Sequence, residues 1–197
     1  MGLSTPDLVK QALARRSVWR VTDESLMPAA VLVLLYPKGG EFCVLLNKRS
    51  EQVEHHKGEI SFPGGARDPE DRDFRDTALR EAEEEMGISP GDVTILGELD
   101  DIVTRSGFGV RVFVGEIPYP YPFSPSDIEI AEVLEVPIAS LYDPANIRRE
   151  TRIADGNLAT VYSYAFEKHV VFGATAKILQ QFLEIMDDPL NKEGQPS

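Results

Sequence analysis

Cysteine and long apolar runs are scarce in this chain, and each scarcity excludes a class of protein. The 197 residues include one cysteine, so neither an internal disulfide nor a cysteine-built metal cluster is available. We expect this residue, Cys43, to be a small buried side chain within the apolar run EFCVLL. The longest apolar stretch, residues 28–36, is far too short to cross a bilayer.

Basic residues are also in the minority. The chain has 20 Lys and Arg against 33 Asp and Glu, a formal net charge of −13. Such a surface disfavours nonspecific binding to nucleic acid and to anionic membranes, so we expect neither partner. It also repels a phosphorylated ligand, which would need bound metal ions or a local basic pocket. With no secretory pattern near the N-terminus, the cytoplasm is the expected location.

The spacing of apolar residues predicts an α+β fold, a mixed sheet with helices around it. Helices are predicted at residues 4–18, 74–86 and 174–186. Strands are predicted at residues 30–36, 41–47, 59–62, 93–99, 109–117, 128–136 and 159–166.

The same patterns give a division of the chain into three parts. Residues 1–27 are interpreted as an N-terminal helical extension, residues 28–187 as one domain, and residues 188–197 as a flexible tail. Two roles are open for the N-terminal helix. It covers the sheet, or it forms the contact of a homodimer.

The clearest predicted helix carries a stripe of carboxylates. At about 100° per residue, Glu81, Glu84 and Glu85 fall within one turn beside an apolar stripe, whereas Glu83 points to solvent. Like charges at this spacing repel, and a divalent cation offsets that repulsion. Oxygen ligands favour a hard ion such as Mg2+, Mn2+ or Ca2+. An ordinary solvated acidic face is the competing interpretation.

The context of this helix carries a family resemblance. Gly65, Asp71 and the run REAEEEMGI resemble the Nudix box, Gly-x5-Glu-x7-Arg-Glu-U-x-Glu-Glu-x-Gly-U, in which U is apolar. The second half matches at every specified position from Arg80 to Ile88. In the first half Asp71 replaces Glu, and eight residues rather than seven separate it from Arg80. The role of Asp71 is therefore open.

Resemblance to the Nudix hydrolases implies an α/β/α sandwich in which the box forms a loop–helix–loop. It implies hydrolysis of a pyrophosphate bond in a nucleoside-diphosphate-linked substrate with Mg2+ or Mn2+. Glu81, Glu84 and Glu85 would hold the metal, and Arg80 would orient one of them. The general base varies in this family. Our candidate is Glu129, on the polar face of a predicted strand, although a plain surface glutamate is an equally good interpretation.

The residues around the box resemble the coenzyme A pyrophosphatase branch, whose signature is Leu-Leu-Thr-x-Arg-Ser-x3-Arg-x3-Gly-x3-Phe-Pro-Gly-Gly-x2-Asp. The spacing agrees from Leu45 to Asp68, with Asn47 in place of Thr and Glu54 in place of Arg. This resemblance implies coenzyme A or an acyl-CoA as substrate, and 3′,5′-ADP and (acyl-)4′-phosphopantetheine as products.

A diphosphate-linked substrate needs cations and a close approach of the backbone, and both are available beside the box. Basic residues cluster around the glycine pair in the sequence, although for each one alone ordinary surface charge is the commoner reading. The candidate substrate-binding residues are Lys48, Arg49, Lys57, Gly64, Gly65 and Arg67.

Three rival functions stay open at this point. The first is a Nudix enzyme for another substrate, such as NADH, an ADP-sugar or a dinucleoside polyphosphate, and the charge reversal at Glu54 keeps it open. The second is a non-catalytic Nudix-like domain that binds nucleotides. The third is a calcium-binding acidic module, which is disfavoured because the chain has no EF-hand loop.

Overall fold

A computed structural model describes residues 5–52, 57–154 and 157–187. Glu54 and the predicted tail, residues 188–197, lie outside the described residues. Among the helices that are described, none is both long enough and apolar enough to span a membrane.

Two long neighbouring strands form the centre of the fold. Strand β1 (Met27–Lys38) turns at Gly39 and Gly40, both at positive φ, into the antiparallel strand β2 (Glu41–Arg49). On its other side β1 pairs in parallel with β7 (Phe108–Glu116). The hairpin was predicted from the sequence and is confirmed.

The remaining strands of this mixed sheet are short or lie at its edges. The path runs β3-β2-β1-β7-β5, while β4 pairs with β1, β6 with β7 and β8 with β2. These strands are β3 (Ile60–Ser61), β4 (Gly64–Ala66), β5 (Thr94–Glu98), β6 (Ile102–Val103) and β8 (Ile130–Pro137).

Each face of the central sheet is covered by helices. Because strand side chains alternate, Leu32 and Leu34 of β1 face one layer and Val33 and Leu35 face the other. The first layer is formed by α2 (Phe74–Met86). The second is formed by α1 (Thr5–Ala14), α3 (Ile138–Tyr142) and α4 (Gly173–Asp187). The predicted α/β/α sandwich is confirmed.

A second, three-stranded sheet lies on the side of α4. It runs β11-β10-β9 and contributes Tyr164 and Val171 to the core. Its strands are β9 (Ile147–Ala154), β10 (Asn157–Phe166) and β11 (His169–Val171). The sequence predicted β10 alone, since β9 is rich in charged residues and β11 is three residues long.

Helix α1 ends earlier than the sequence predicted. The helix stops at Ala14 and does not continue to residue 18. The chain leaves the helix because Arg16 pairs with Asp100 at 2.6 Å, and the Trp19 N–H donates to the same carboxylate at 2.8 Å. Val9 and Leu13 of the helix are buried in the main core, so α1 covers the sheet.

Candidate active site

Helix α2 has the bounds that the sequence predicted, and both of its ends are capped. The Asp73 side chain accepts a hydrogen bond from the Asp76 N–H at 2.9 Å. Gly87 adopts the left-handed conformation (φ 68°) and donates its N–H to the Glu83 carbonyl at 2.8 Å. Ala82 packs on the sheet, while Glu83 is exposed, as predicted.

The guanidinium of Arg80 joins the loop of the box to its helix. Its Nε and Nη2 donate to the two carboxylate oxygens of Asp71 at 2.9 and 3.1 Å. Nη2 also donates to the Ala66 carbonyl at 3.1 Å. Nη1 donates to Glu81 Oε1 at 2.9 Å and to Glu84 Oε2 at 3.0 Å. One side chain therefore holds two of the three box glutamates.

Asp71 anchors Arg80 despite the longer loop. Its carboxylate is buried, and it also accepts the Asp68 N–H at 2.9 Å. Hydrogen bonds from Arg80 hold the pKa of Asp71 well below its usual range. The loop thus accommodates its extra residue and still brings the Asp71 carboxylate to Arg80. The sequence alone had left the role of Asp71 undecided.

Glu85 faces away from Arg80 and towards strand β2. It is 1% exposed. Its Oε2 accepts from Asn47 Nδ2 at 2.9 Å and from the Gly64 N–H at 3.2 Å, and its Oε1 accepts from Arg49 Nη1 at 3.0 Å. Burial raises the pKa of Glu85 to about 7, although these donors oppose the shift. Asn47 is itself oriented by Ser61 Oγ, which donates to its Oδ1 at 2.7 Å.

Glu81 lies against the glycine turn. A β-carbon at Gly65 would stand 2.5 Å from the Glu81 carboxylate, so any larger residue at this position would force that carboxylate to move. Burial raises the pKa of Glu81, and Arg80 opposes this shift. Glu84 is the exposed member of the three.

Glu129 does not lie on a strand, and that part of the sequence interpretation is corrected. Strand β8 begins at Ile130, because Glu129 and Ile130 both donate their N–H groups to the Ser126 carbonyl and close a turn. The Glu129 carbonyl accepts the Ser50 N–H at 2.7 Å. The pKa of Glu81 is raised chiefly by burial, and the negative charge of Glu129 adds to that rise.

The candidate basic residues are dispersed. Among the described residues, Arg49 is the candidate substrate-binding cation that contacts a box glutamate. By strand alternation, Lys48 lies on the same face of β2 as Leu46, which is the face opposite to α2. Arg67 donates to the Asp71 and Arg72 carbonyls at 3.0 and 3.3 Å. Lys57 is exposed.

The three box glutamates have the chemistry of a site for a hard divalent ion. Within residues 5–52, 57–154 and 157–187, no three His, Cys, Asp or Glu side chains are already arranged around one point as ligands. The glutamates are held by Arg80, Arg49 and Asn47 instead. Carboxylate oxygens nevertheless suit Mg2+ or Mn2+, and burial raises the pKa of two of these carboxylates, Glu81 and Glu85, despite their arginine partners.

A glycine turn and a carboxylate helix on one face of a mixed sheet define the loop–helix–loop class of hydrolase. Residues 26–153 match the model of the NUDIX domain, and the chain belongs to the Nudix hydrolase family. It is 38% identical over 152 residues to a protein of Pectobacterium atrosepticum named as an uncharacterized Nudix hydrolase NudL, covering 74% of this chain and 77% of that protein. The protein of the same name from Photorhabdus laumondii is 32% identical over 166 residues, with 84% and 87% covered.

Solved structures support the same fold. A Nudix hydrolase from Alicyclobacillus acidocaldarius superposes with a TM-score of 0.55 at 19% identity, covering 83% of this chain and 93% of that one. The Nudix domain of Shewanella oneidensis NrtR, solved with ADP ribose, gives 0.53 at 15% identity, with 82% and 89% covered. At these identities the likeness concerns the fold alone.

Proposed function

We propose that this Nudix hydrolase cleaves the pyrophosphate bond of coenzyme A or an acyl-CoA, giving 3′,5′-ADP and (acyl-)4′-phosphopantetheine. The observation that carries a hydrolytic role is the arrangement of the box glutamates on one helix, with Glu81 and Glu84 held by Arg80 and Glu85 held at the glycine turn. Retention of all three carboxylates despite their mutual repulsion favours the hydrolase, because a domain that only bound nucleotides could lose them.

The cofactor in this proposal is Mg2+ or Mn2+, held by Glu81, Glu84 and Glu85. When bound, the metal polarises the diphosphate and makes a bound water acidic. Arg80, anchored by Asp71, keeps the side chains of Glu81 and Glu84 in place. The backbone of Gly64 and Gly65 lets the substrate approach closely because no side chain stands there.

Glu129 is the proposed general base. Support for this role comes from its position on a partly exposed turn and from the contribution of its charge to the raised pKa of Glu81. A partly exposed carboxylate in that place is able to accept a proton from the attacking water. The departing phosphate would be stabilised by nearby cations.

Coenzyme A is the preferred substrate because the signature around the box agrees in spacing from Leu45 to Asp68. Arg49 is the cation best placed for the diphosphate, since it already contacts the site. Lys48, Lys57 and Arg67 remain candidates for the 3′-phosphate. Arg67 would have to give up its bonds to the Asp71 and Arg72 carbonyls to take part.

The test is hydrolysis of a panel: coenzyme A, NADH and ADP-ribose, each with and without Mg2+ or Mn2+, with products identified by mass spectrometry. ADP-ribose belongs in the panel because the NrtR domain was solved with it. Three proteins are compared: the wild type, Glu85→Gln, and Glu83→Gln, the matched control on the exposed side of the same helix.

We expect metal-dependent release of 3′,5′-ADP and 4′-phosphopantetheine by the wild type and by Glu83→Gln, and its loss in Glu85→Gln. Cleavage of NADH or ADP-ribose in preference to coenzyme A would support the hydrolase activity and refute coenzyme A as the substrate. Binding of these compounds without cleavage of any would favour the nucleotide-binding alternative.

A further inference from the structure

The Arg49–Glu85 ion pair joins the proposed metal site to the proposed phosphate site. Arg49 Nη1 donates to Glu85 Oε1 at 3.0 Å, with the arginine side chain 23% exposed and the glutamate 1% exposed. The other oxygen of Glu85 takes two neutral donors, Asn47 Nδ2 and the Gly64 N–H. Oε1 is therefore the oxygen whose partner is a cation.

Among the described residues, the Arg49 guanidinium has fewer hydrogen-bond partners than that of Arg80, the other arginine of the site. Arg80 has an anchor that is independent of the box glutamates, because Asp71 takes it with both oxygens and the Ala66 carbonyl takes it as well. For Arg49, Glu85 is the one side chain that its guanidinium contacts among the described residues. In the part of the chain that the structure describes, Glu85 is thus the side chain that anchors the Arg49 guanidinium.

We propose that Arg49 is a placeholder cation. Before a metal ion binds, its guanidinium neutralises Glu85. When a divalent ion binds at the box glutamates, Arg49 leaves Glu85 and binds the diphosphate of the substrate. This inference rests on the proposed function.

Three physical reasons support the exchange. A carboxylate as buried as Glu85 requires a positive partner, and Arg49 supplies it in the absence of metal. Two cations at one carboxylate repel each other, so metal binding weakens the ion pair. A guanidinium released there is suited to a phosphate, which it binds through two parallel hydrogen bonds. Metal and substrate should then each tighten the binding of the other.

The first test measures Mn2+ affinity without any substrate, by electron paramagnetic resonance of the free ion, at one pH for all variants. Arg49→Gln keeps a hydrogen-bond donor but removes the charge that competes with the metal, so it should bind Mn2+ roughly tenfold more tightly than the wild type. Arg49→Lys keeps the charge and should bind Mn2+ as the wild type does.

Arg20 provides a matched control outside the site. Its Nη1 donates to Asp101 at 2.9 Å, with the arginine 29% and the aspartate 2% exposed; Arg20 also pairs with Glu98, and Asp101 also pairs with Arg111. Arg20→Gln should therefore lose comparable stability in thermal unfolding while its Mn2+ affinity stays unchanged. This comparison separates an effect of charge at the site from a general loosening of the fold.

The second test measures the coupling to the substrate side. The probe is α,β-methylene-ADP, a diphosphate that cannot be hydrolysed at the bridging position, titrated by calorimetry with and without Mg2+. Mg2+ should increase the affinity of the wild type for α,β-methylene-ADP. The factor by which it increases this affinity should be roughly tenfold smaller in Arg49→Gln.

A third measurement covers the case in which Arg49→Gln does not fold. The guanidinium NMR signals of the wild type are followed during Mg2+ titration, with Arg49→Lys used to assign the Arg49 signal. We expect the hydrogen-bonded Arg49 signal to disappear as Mg2+ saturates the site.

The outcomes separate this inference from the proposed function. Equal or weaker Mn2+ affinity in a folded Arg49→Gln, or an Arg49 signal unchanged at saturating Mg2+, would overturn the placeholder while leaving the proposed function intact. A wild type that binds no Mn2+ and cleaves no substrate would refute the proposed function itself.

Discussion

At the scale of single residues, the burial of Glu85 has a direct consequence for stability. Burial raises its pKa from 4.5 to about 7, so the folded protein holds a proton that the unfolded chain releases. No penalty exists below about pH 4.5, where both states are neutral. As the pH rises from 4.5 to 7 the unfolded chain ionises first, and the free energy of unfolding falls.

The prediction is a pH-dependent difference between wild type and Glu85→Gln. Relative to Glu85→Gln, the wild type should lose about 2–3 kcal/mol of unfolding free energy across this window. Urea unfolding of both proteins at several pH values measures it. Parallel pH profiles for the two proteins would show that burial of Glu85 does not shift its pKa as described.

The second residue with a specific prediction is Gly65. A β-carbon there would meet the far end of the flexible Glu81 side chain at 2.5 Å, so the carboxylate has to move. Gly65→Ala should reduce metal-dependent hydrolysis roughly 10- to 100-fold, because a small displacement of a catalytic group is costly, while stability changes by less than about 1 kcal/mol.

Gly91→Ala is the control for this substitution. At Gly91 a β-carbon meets only Ser89 Oγ at ordinary contact distance, 3.9 Å. Both activity and stability should stay at the wild-type level. Undiminished hydrolysis by Gly65→Ala would mean that the position of Glu81 does not matter for the reaction.

At the scale of elements, local sequence patterns predicted the helix of the box but not the strands that depend on distant partners. The bounds of α2 follow from its helix-forming composition and the glycine after it, and the structure confirms Phe74–Met86. Strand β4 was missed because it contains two glycines and exists through its pairing with residues 29–31 of β1. The parallel pairing of β1 with β7 likewise depends on contacts between residues far apart in the chain.

The cap of α2 gives a prediction at this scale. Gly87 has φ 68°, and a β-carbon there would also approach Ser124 Cβ to 2.8 Å. Gly107 has φ 84° with nothing within 4 Å. Both changes to Ala incur backbone strain of about 1–2 kcal/mol, but only Gly87→Ala adds overpacking, about 1–3 kcal/mol more. Equal losses in chemical denaturation would contradict the close contact with Ser124.

At the scale of the whole molecule, the N-terminal helix packs as part of the core. The sequence left open whether the N-terminal helix covers the sheet or forms the contact of a homodimer, since amphipathic spacing does not say what an apolar face contacts. In the structure Leu13 is buried and lies against Gly97 of β5, where a β-carbon would approach the Leu13 Cβ to 2.7 Å.

This packing predicts unequal effects for two leucines. Leu13→Ala should reduce the free energy of unfolding by about 2–5 kcal/mol, because it leaves a cavity in the core. Leu158→Ala, at a side chain that is 78% exposed, should change it by less than about 0.5 kcal/mol. Chemical denaturation of both variants decides the matter. A negligible loss in Leu13→Ala would mark α1 as a dispensable extension.

The candidate site was predicted in part. The box motif identified Arg80 and the three glutamates, because their spacing is a local property of one helix. The partners of Glu85 come from β2 and the glycine turn, and the sequence offered no way to pair Asn47 with it. Likewise, only the folded chain shows that Asp71 reaches Arg80.

The charge of the whole molecule makes the metal central to the proposed reaction. A protein with net charge −13 repels a diphosphate, and the two arginines of the site are already paired with carboxylates. The most direct measurement is the incubation of coenzyme A in 18O-labelled water with the wild-type protein, with and without Mg2+. We predict Mg2+-dependent cleavage that puts one 18O into one of the two products. Intact coenzyme A in the presence of Mg2+ and Mn2+ would contradict the assignment of this site to coenzyme A hydrolysis.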